Sequence, residues 1–170
     1  ARDQTVQIFN RFLDPRVVKN LVDQGTTTES ISGQTCEITV LFSDIRGFTT
    51  LSETRSAAEI VALLNSYFSM QVAVIFRHGG TLDKFIGDAI MAFWGAPGED
   101  ADHARNAIAA ALEMAERLEE FKRHMGDLGS SFDVGIGIHS GPAVVGFIGS
   151  EQRQDYTAIG DTVNLASRIE

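Results

Sequence analysis

Two long stretches of helical periodicity, with short β-favouring runs around them, constrain the fold of this chain more than any other feature. The first follows Ser56, which forms an S-x-x-E capping box with Glu59, and the second runs from Asp102 to Met125. Runs rich in β-branched and aromatic residues precede, separate and follow these stretches, at 37–43, 81–86, 89–94, 133–139, 143–148 and 156–159. We expect the runs at 133–139 and 143–148 to form a strand pair joined by a turn at 140–142. The order strand, helix, two strands, helix, strand predicts an α+β fold, a ferredoxin-like βαββαβ palm-type sheet with helices packed on it.

The first 30 residues predict a helical lead-in followed by a linker. Apolar residues recur at helical spacing in two short segments, and the second of these has Asp14 as its N-cap and Pro15 as its first helical residue. Residues 26–30 are polar and predict a loop. A chain of 170 residues is too short for two large domains. We therefore divide it into a lead-in at 1–30 and one compact domain at 31–170.

Charge and composition exclude several classes of protein. The net charge of -9 argues against a nucleic-acid-binding surface, which needs Lys and Arg to neutralise phosphates. A polyphosphate ligand would have to arrive with metal cations. The single cysteine, Cys36, allows no intrachain disulfide and suits a reducing compartment. We see no apolar stretch long enough to cross a bilayer and no secretory leader, so we expect a cytoplasmic domain whose parent protein could be tethered elsewhere.

An acidic residue at the end of the first predicted strand is the sharpest local signal. Asp44 follows a buried β run and is followed at once by a turn that contains Gly47. Such a turn can aim backbone N–H groups at phosphate oxygens, while the carboxylate is a hard oxygen ligand for Mg²⁺ or Mn²⁺. Alternatively, Asp44 simply caps the turn, as aspartates often do. The residue alone does not decide between the two interpretations.

A second acid, Asp88, stands with Gly87 between two β-favouring runs, where the pair predicts a tight hairpin turn. In the predicted layout this hairpin lies beside the first strand and brings Asp88 close to Asp44. Two neighbouring carboxylates repel unless a cation lies between them. Asp88 could also serve only as a turn residue. The pair favours a metal site more strongly than either member does.

Four motifs, in this order and at these separations, resemble the class III adenylyl and guanylyl cyclase homology domain. They are FSDIRGFT, DKFIGDAIMAFWG, GIGIHSG and YTAIGDTVNLASR, and the resemblance runs from about Glu37 to the last residue. The upstream segment PRVVKNLV is similar to the helical lead-in found before bacterial members of the family. The resemblance implies an adenylate cyclase that makes cyclic AMP and pyrophosphate from ATP in signalling. It also implies a regulatory domain upstream.

The resemblance assigns the metal and phosphate contacts. Asp44 and Asp88 would hold two divalent ions, Mg²⁺ or Mn²⁺, with the carbonyl of Ile45 as a further ligand. The turn at Gly47, Phe48 and Thr49 would cradle the phosphates. In two-metal phosphoryl chemistry one ion activates the attacking hydroxyl and the other binds the leaving oxygens.

The resemblance also assigns four residues elsewhere in the chain. Asn164 would orient the ribose and Arg168 would stabilise charge in the transition state; the two stand four residues apart on one helix face. Lys84 and Thr157 would read the purine, because a lysine can donate to adenine N1 and a hydroxyl can accept from its amino group. Each residue also has an interpretation without a functional role. Asn164 and Arg168 could form an ordinary polar helix face, Lys84 could be a solvent-facing strand lysine, and Thr157 could be present for its β propensity.

Further implications concern specificity and assembly. Threonine at position 157 resembles the class IIIb branch, in which bicarbonate stimulation recurs, and its hydroxyl, which can also donate, implies softer discrimination against GTP. In the family the metal pair comes from one subunit while the purine readers, the asparagine and the arginine come from the other. A chain that carries both halves would therefore form a homodimer with shared active sites.

The sequence departs from the family pattern at two places. Gly135 stands where some relatives have an arginine for the triphosphate, so phosphate binding would rest more on the turn and the metals. The family domain also continues past the SRIE region to a lysine that binds the triphosphate, so we expect the C-terminal end of the domain to lie beyond Glu170.

Two other functions remain open. A diguanylate cyclase on the same palm-type fold lacks support, because its GG[DE]EF signature is absent and 79–81 is the nearest approach. A non-catalytic homology module that dimerises or binds a ligand is the main alternative, although such relatives usually lose a metal aspartate or the helix arginine. None of the histidines has the spacing of a zinc site.

Overall fold

The computed structural model describes Gln4, residues 14–24 and residues 33–170, and the backbone alone at positions 20–22 and 24. The elements in chain order are α1 (Pro15–Gln24), β1 (Gln34–Arg46), α2 (Phe48–Glu53), α3 (Ala57–Arg77), β2 (Thr81–Ile86), β3 (Ala89–Trp94), α4 (His103–His124), a 3₁₀ helix (Gly126–Ser131), β4 (Asp133–Gly149), β5 (Gln154–Ile159) and α5 (Asp161–Ile169). The first predicted lead-in helix and the linker at 26–30 lie outside the described residues.

Within the described residues, five strands form one antiparallel sheet in the order β2-β3-β1-β4-β5. The first four strands have the order of the predicted ferredoxin-like layout, and β5 adds a fifth strand beside β4. The capping box at the start of α3 forms as predicted on one side, with the hydroxyl of Ser56 accepting from the backbone N–H of Glu59 at 3.2 Å. The α+β class and the sheet order are thus confirmed.

Two strands are longer than their sequence pattern predicts. β1 extends to Arg46 because all of its last residues pair with β4. The predicted turn at 140–142 is wrong, since residues 133–149 form one continuous strand. The carbonyl of Pro142 within this strand accepts from the Thr162 hydroxyl at 2.6 Å, so it points away from β1. The N and the carbonyl of one strand residue point to the same side, so the missing N–H faces the region beyond β5 rather than β1.

The helices α3 and α4 cover one face of the sheet with a large apolar core. Tyr67, Val74 and Ile75 of α3 are fully buried there, together with Trp94 of β3 and Met114 of α4. By length and composition α3 is also apolar enough to cross a membrane, with a mean hydropathy of 1.5, so the expectation that no such stretch exists is wrong. Its buried stripe instead packs on this sheet.

On the opposite face of the sheet, helix α5 and the outer strand β5, which folds back over the sheet, cover the inner strands. Tyr156 of β5 lies over Phe93 of β3, with ring centroids 6.1 Å apart, and Ala166 of α5 is fully buried. Because β5 is the last strand in hydrogen-bonding order, its contact with β3 and β2 requires a strongly curled sheet. The curl brings the two outer strands of the sheet together.

The lead-in helix α1 is tied to the sheet at the start of β2. Asp14 and Pro15 begin the helix as predicted, and one carboxylate oxygen of Asp14 accepts from Arg16 N at 2.7 Å. The other oxygen accepts from Leu82 N at 2.6 Å, and the Arg16 guanidinium donates to the carbonyl of Gly79. The lead-in thus contacts the strand that carries Lys84.

Candidate active site

The fold brings together the two aspartates that the sequence singled out. Asp44 pairs with Gly135 in the central part of the sheet, and Asp88 sits in the turn between β2 and β3. The backbone N–H of Ile45 donates to the carboxylate of Asp88 at 3.2 Å, which fixes Asp88 against β1. One expectation needs correction: Asp44 lies within β1, two residues before its end, because pairing with β4 continues to Arg46.

The two carboxylates strain each other electrostatically. Partial burial raises the pKa of Asp88 to about 6, and the neighbouring Asp44 carboxyl group acts in the same direction. A divalent cation between them would relieve this repulsion, since carboxylate oxygens are the ligands that Mg²⁺ and Mn²⁺ prefer. The residues present therefore fit a divalent metal.

The metal site would not be made of side chains alone. In the described part of the chain no group of three or more His, Cys, Asp and Glu side chains is arranged to hold a metal ion. Two carboxylates would need the carbonyl of Ile45 and oxygens of a ligand to complete a coordination sphere of six. Such an incomplete site suits cations that arrive with a nucleotide.

The turn after β1 leaves the sheet beside the carboxylate pair. Gly47 adopts φ of 73°, a left-handed conformation that glycine takes without a steric penalty, and α2 starts at the next residue. Phe48 packs on the main core, while Gly47 and Thr49 are exposed. The turn is anchored by Phe48 and is open to solvent on its other side.

Helix α5 presents Asn164 and Arg168 to solvent. Both are exposed, whereas Thr162 and Ala166 are buried against the sheet. At 100° per residue the first pair lies on the side of the helix opposite to the second pair. The structure thus confirms the shared face of Asn164 and Arg168, and it does not bring them against the carboxylate pair through any hydrogen bond or ion pair of the described residues.

Lys84 and Thr157 come together around a third residue, Asp83. The Thr157 hydroxyl donates to Oδ2 of Asp83 at 2.6 Å, and Nζ of Lys84 lies 3.7 Å from Oδ1. The Asp83 side chain has 0% exposure, and this burial raises its pKa against the opposing hydrogen bonds. Sequence reasoning missed Asp83, because strand alternation places it on the face opposite to Lys84.

Two further side chains near the carboxylate pair were also missed. A Cβ added at Gly135 would lie 3.1 Å from the guanidinium of Arg46, so this arginine covers the position where some relatives carry one. Glu170 lies close to Asp44, and burial raises its pKa. The carboxylate pair therefore has a cation and a third acid beside it.

Comparison with known proteins gives a family match over most of the chain. The model of the family described as "Adenylate and Guanylate cyclase catalytic domain" matches residues 31–170. Adenylate cyclase 1 of Rhizobium meliloti is 44% identical over 158 residues, which cover 91% of this chain and 24% of the relative. The chain thus spans about a quarter of that protein's length.

The fold is similar to solved structures of both guanylyl and adenylyl cyclases. The guanylyl cyclase Cya2 superimposes with a TM-score of 0.77 at 45% identity, over 82% of this chain and 71% of that one. The adenylyl cyclase CyaB from P. aeruginosa superimposes with a TM-score of 0.76 at 38% identity, over 80% of this chain and 71% of that one. Overall similarity to solved structures therefore does not choose between adenine and guanine.

Proposed function

Because the chain belongs to the adenylate and guanylate cyclase catalytic domain family, we propose that it converts ATP to 3′,5′-cyclic AMP and pyrophosphate. The observation that carries this proposal is the convergence of Asp44 and Asp88, from distant parts of the sequence, on one point of the sheet. In the reaction the ribose 3′-oxygen bonds to the α-phosphorus, the bond from that phosphorus to the β-phosphate bridge breaks, and the hydroxyl proton is released.

The carboxylate pair and Ile45 would hold two divalent ions, Mg²⁺ or Mn²⁺. When bound, such ions lower the pKa of the ribose hydroxyl and neutralise the charge that develops on the triphosphate. Asp44 and Asp88 supply the negative charge that retains them, and the hydrogen bond from Ile45 N keeps Asp88 in place. The mutual repulsion of the two acids favours cation binding over the metal-free state.

The phosphates and the ribose would be contacted by other elements. Gly47, Phe48 and Thr49 are suited to the phosphates because this open turn leaves β1 two residues after Asp44. Asn164 would orient the ribose, and Arg168 would stabilise negative charge at the α-phosphate with its fork of donors. Their exposure leaves both side chains free to reach a bound nucleotide.

We assign the adenine to Lys84 and Thr157. The ammonium group of Lys84 can only donate, which suits N1 of adenine, whereas N1 of guanine carries a hydrogen. The two side chains lie on either side of Asp83 in one protomer. The proposed substrate is therefore ATP rather than GTP.

The active sites would be shared between two copies of the chain. Asn164 and Arg168 point away from their own sheet, so a second copy could receive them at its carboxylate pair. Large apolar side chains are exposed on α5 and on the β2–β3 hairpin, including Leu165, Ile169, Phe85 and Ile86. Burying such surface against a second copy would favour a two-fold dimer.

The direct experiment measures conversion of ATP by the protein that contains this domain, with Mn²⁺ or Mg²⁺ and at a concentration that ensures dimers. Formation of cyclic AMP supports the proposal. If neither ATP nor GTP is converted, the chain is a non-catalytic module of the family, and the proposal fails.

Mixing two inactive variants tests the shared site. Asp44→Ala removes a metal ligand and Arg168→Ala removes the phosphate contact, so each homodimer should be inactive. A heterodimer would keep one intact site of two, and an equal mixture should recover about a quarter of the wild-type rate. Heterodimers without recovered activity would contradict a shared site, while active single variants would contradict the assigned roles.

Regulation is proposed from the resemblance alone. The resemblance implies a regulatory domain upstream, and the match covers only 24% of the similar Rhizobium meliloti protein. Bicarbonate stimulation is expected from the threonine at position 157. Titration of bicarbonate at fixed pH tests it, and an unchanged rate of cyclic AMP formation would end the idea.

A further inference from the structure

Asp83 is an extra residue in its strand. Leu82 pairs with Ala92 and Lys84 pairs with Met91, so two consecutive residues of β3 face three of β2. The unmatched residue of this β-bulge is Asp83. A bulge re-aims a side chain that regular alternation would send to the other face. Here the bulge accompanies an ion pair between consecutive residues, with Oδ1 of Asp83 3.7 Å from Nζ of Lys84.

The Asp83 carboxylate bridges the two outer strands of the curled sheet. Its Oδ2 accepts from the Thr157 hydroxyl at 2.6 Å and from the backbone N–H of Ala158 at 3.3 Å. Its Oδ1 is buried and has no hydrogen-bond partner among the described residues. A buried acceptor without a hydrogen-bond partner lowers the stability of the fold. This cost indicates that Asp83 has a role other than joining two strands.

The hydrogen bond from Thr157 sets the polarity of its hydroxyl. A threonine hydroxyl has one proton, and a carboxylate can only accept, so the proton points at Asp83. The oxygen of Thr157 then has only lone pairs for any other partner. The 6-amino group of adenine can donate to such an oxygen. The 6-oxo group of guanine would meet it acceptor to acceptor, without a proton between them.

We propose that Asp83 is a positioning residue that sets the choice of ATP over GTP, by holding the Thr157 hydroxyl as an acceptor and the Lys84 ammonium beside it. This inference rests on the proposed function, in which Lys84 and Thr157 read the base. A free threonine hydroxyl could also donate to guanine and would weaken the discrimination against GTP. The hydrogen bond to Asp83 prevents this, because the hydroxyl can no longer turn to donate to guanine.

The test compares kcat/KM for ATP and for GTP in a set of variants. Asp83→Ala frees the hydroxyl, so the ATP to GTP ratio should fall about tenfold or more, through poorer ATP use and better GTP use. Asp83→Asn keeps a carbonyl oxygen that accepts from Thr157 but removes the charge beside Lys84. It should raise KM for ATP while keeping most of the ratio.

Thr157 variants show whether Asp83 acts through that hydroxyl. Thr157→Val should lower the ratio, and adding Asp83→Ala to it should lower the ratio no further. Thr157→Ser keeps the hydroxyl and should retain the wild-type ratio. Asp155→Asn removes an exposed neighbouring charge without touching the hydrogen bond, so it should leave the ratio unchanged.

A purely structural role predicts a different pattern. One such outcome is an Asp83→Ala variant with a lower melting temperature and an ATP to GTP ratio within about twofold of wild type. Another is an effect of Asp83→Ala on the ratio that adds fully to that of Thr157→Val. In either case Asp83 only joins the strands, and the inference is overturned. If the wild-type protein converts neither nucleotide, the proposed function fails. The inference is then decided by the ratio of ATP to GTP dissociation constants in the same variants.

Discussion

Replacing Gly137 by alanine should push α5 away from the sheet. A Cβ at this position would lie 2.5 Å from the backbone N of Glu170 and 2.6 Å from the carbonyl oxygen of Ala166. Ordinary contact begins near 3.4 Å, and backbone atoms cannot rotate away, so the end of the helix must retreat by about 0.9 Å. Overpacking of this kind costs about 1–3 kcal/mol of folding free energy.

The same displacement should damage catalysis more than substrate choice. α5 carries Asn164 and Arg168, and a misplacement of about 1 Å can cost roughly a hundredfold in rate. We expect kcat to fall by about that factor in Gly137→Ala, with an ATP to GTP ratio close to wild type, because Asp83 and Thr157 lie on other elements. Urea unfolding and steady-state kinetics measure the two effects.

Gly135→Ala provides a graded control on the same strand. Its Cβ would lie 3.0 Å from the carbonyl oxygen of Glu170 and 3.1 Å from the side chain of Arg46, which can move. It should therefore cost less than Gly137→Ala in both stability and kcat. The steric reasoning would be refuted by a Gly137→Ala variant with wild-type stability and kcat, or by a reversed order of the two variants.

Two further predictions concern the acidic groups. Asp88→Asn removes one of the two proposed metal ligands, so it should abolish cyclic AMP formation and weaken Mn²⁺ binding measured by isothermal calorimetry, while the Glu53→Gln control changes neither. Burial raises the pKa of Asp14 above its ordinary 3.8, so folded protein holds this proton more tightly than unfolded protein. The stability of wild type relative to Asp14→Asn should therefore fall as pH rises from 3.8 through the folded pKa, in urea titrations at pH 4 to 7. A difference that grows with pH would contradict this sign.

Much of the fold could be predicted because local patterns and topology agree. The Gly87-Asp88 dipeptide predicted the hairpin, the Ser56 cap predicted the start of α3, and their order predicted the sheet. The prediction of a turn at 140–142 was wrong. Ser, Gly and Pro favour turns locally, but thirteen residue pairs with β1 keep β4 extended. The missing N–H of Pro142 faces away from β1, so tertiary pairing overrides the local signal.

The approach of Asp44 and Asp88 to each other could be predicted, and the cluster of Lys84, Asp83 and Thr157 only in part. Asp44 and Asp88 each stand at a place that local patterns mark, a strand's end region and a hairpin turn. Asp83 is different, because period-two alternation separates it from Lys84 and nothing in the sequence marks the bulge. Its contact with Thr157 also depends on the curl of the whole sheet, which no single segment encodes.

The curl explains why one carboxylate can govern nucleotide choice. In a flat sheet β2 and β5 would be separated by three strands, each about 4.8 Å from the next, and a short aspartate side chain could not cross that space. The β4–β5 hairpin folds back over β3, as the packing of Tyr156 on Phe93 shows, and delivers Thr157 to the bulge. Changes that flatten the sheet without touching either residue should therefore weaken ATP preference. Tyr156→Ala is such a change, and it should lower the ATP to GTP ratio in the same direction as Asp83→Ala.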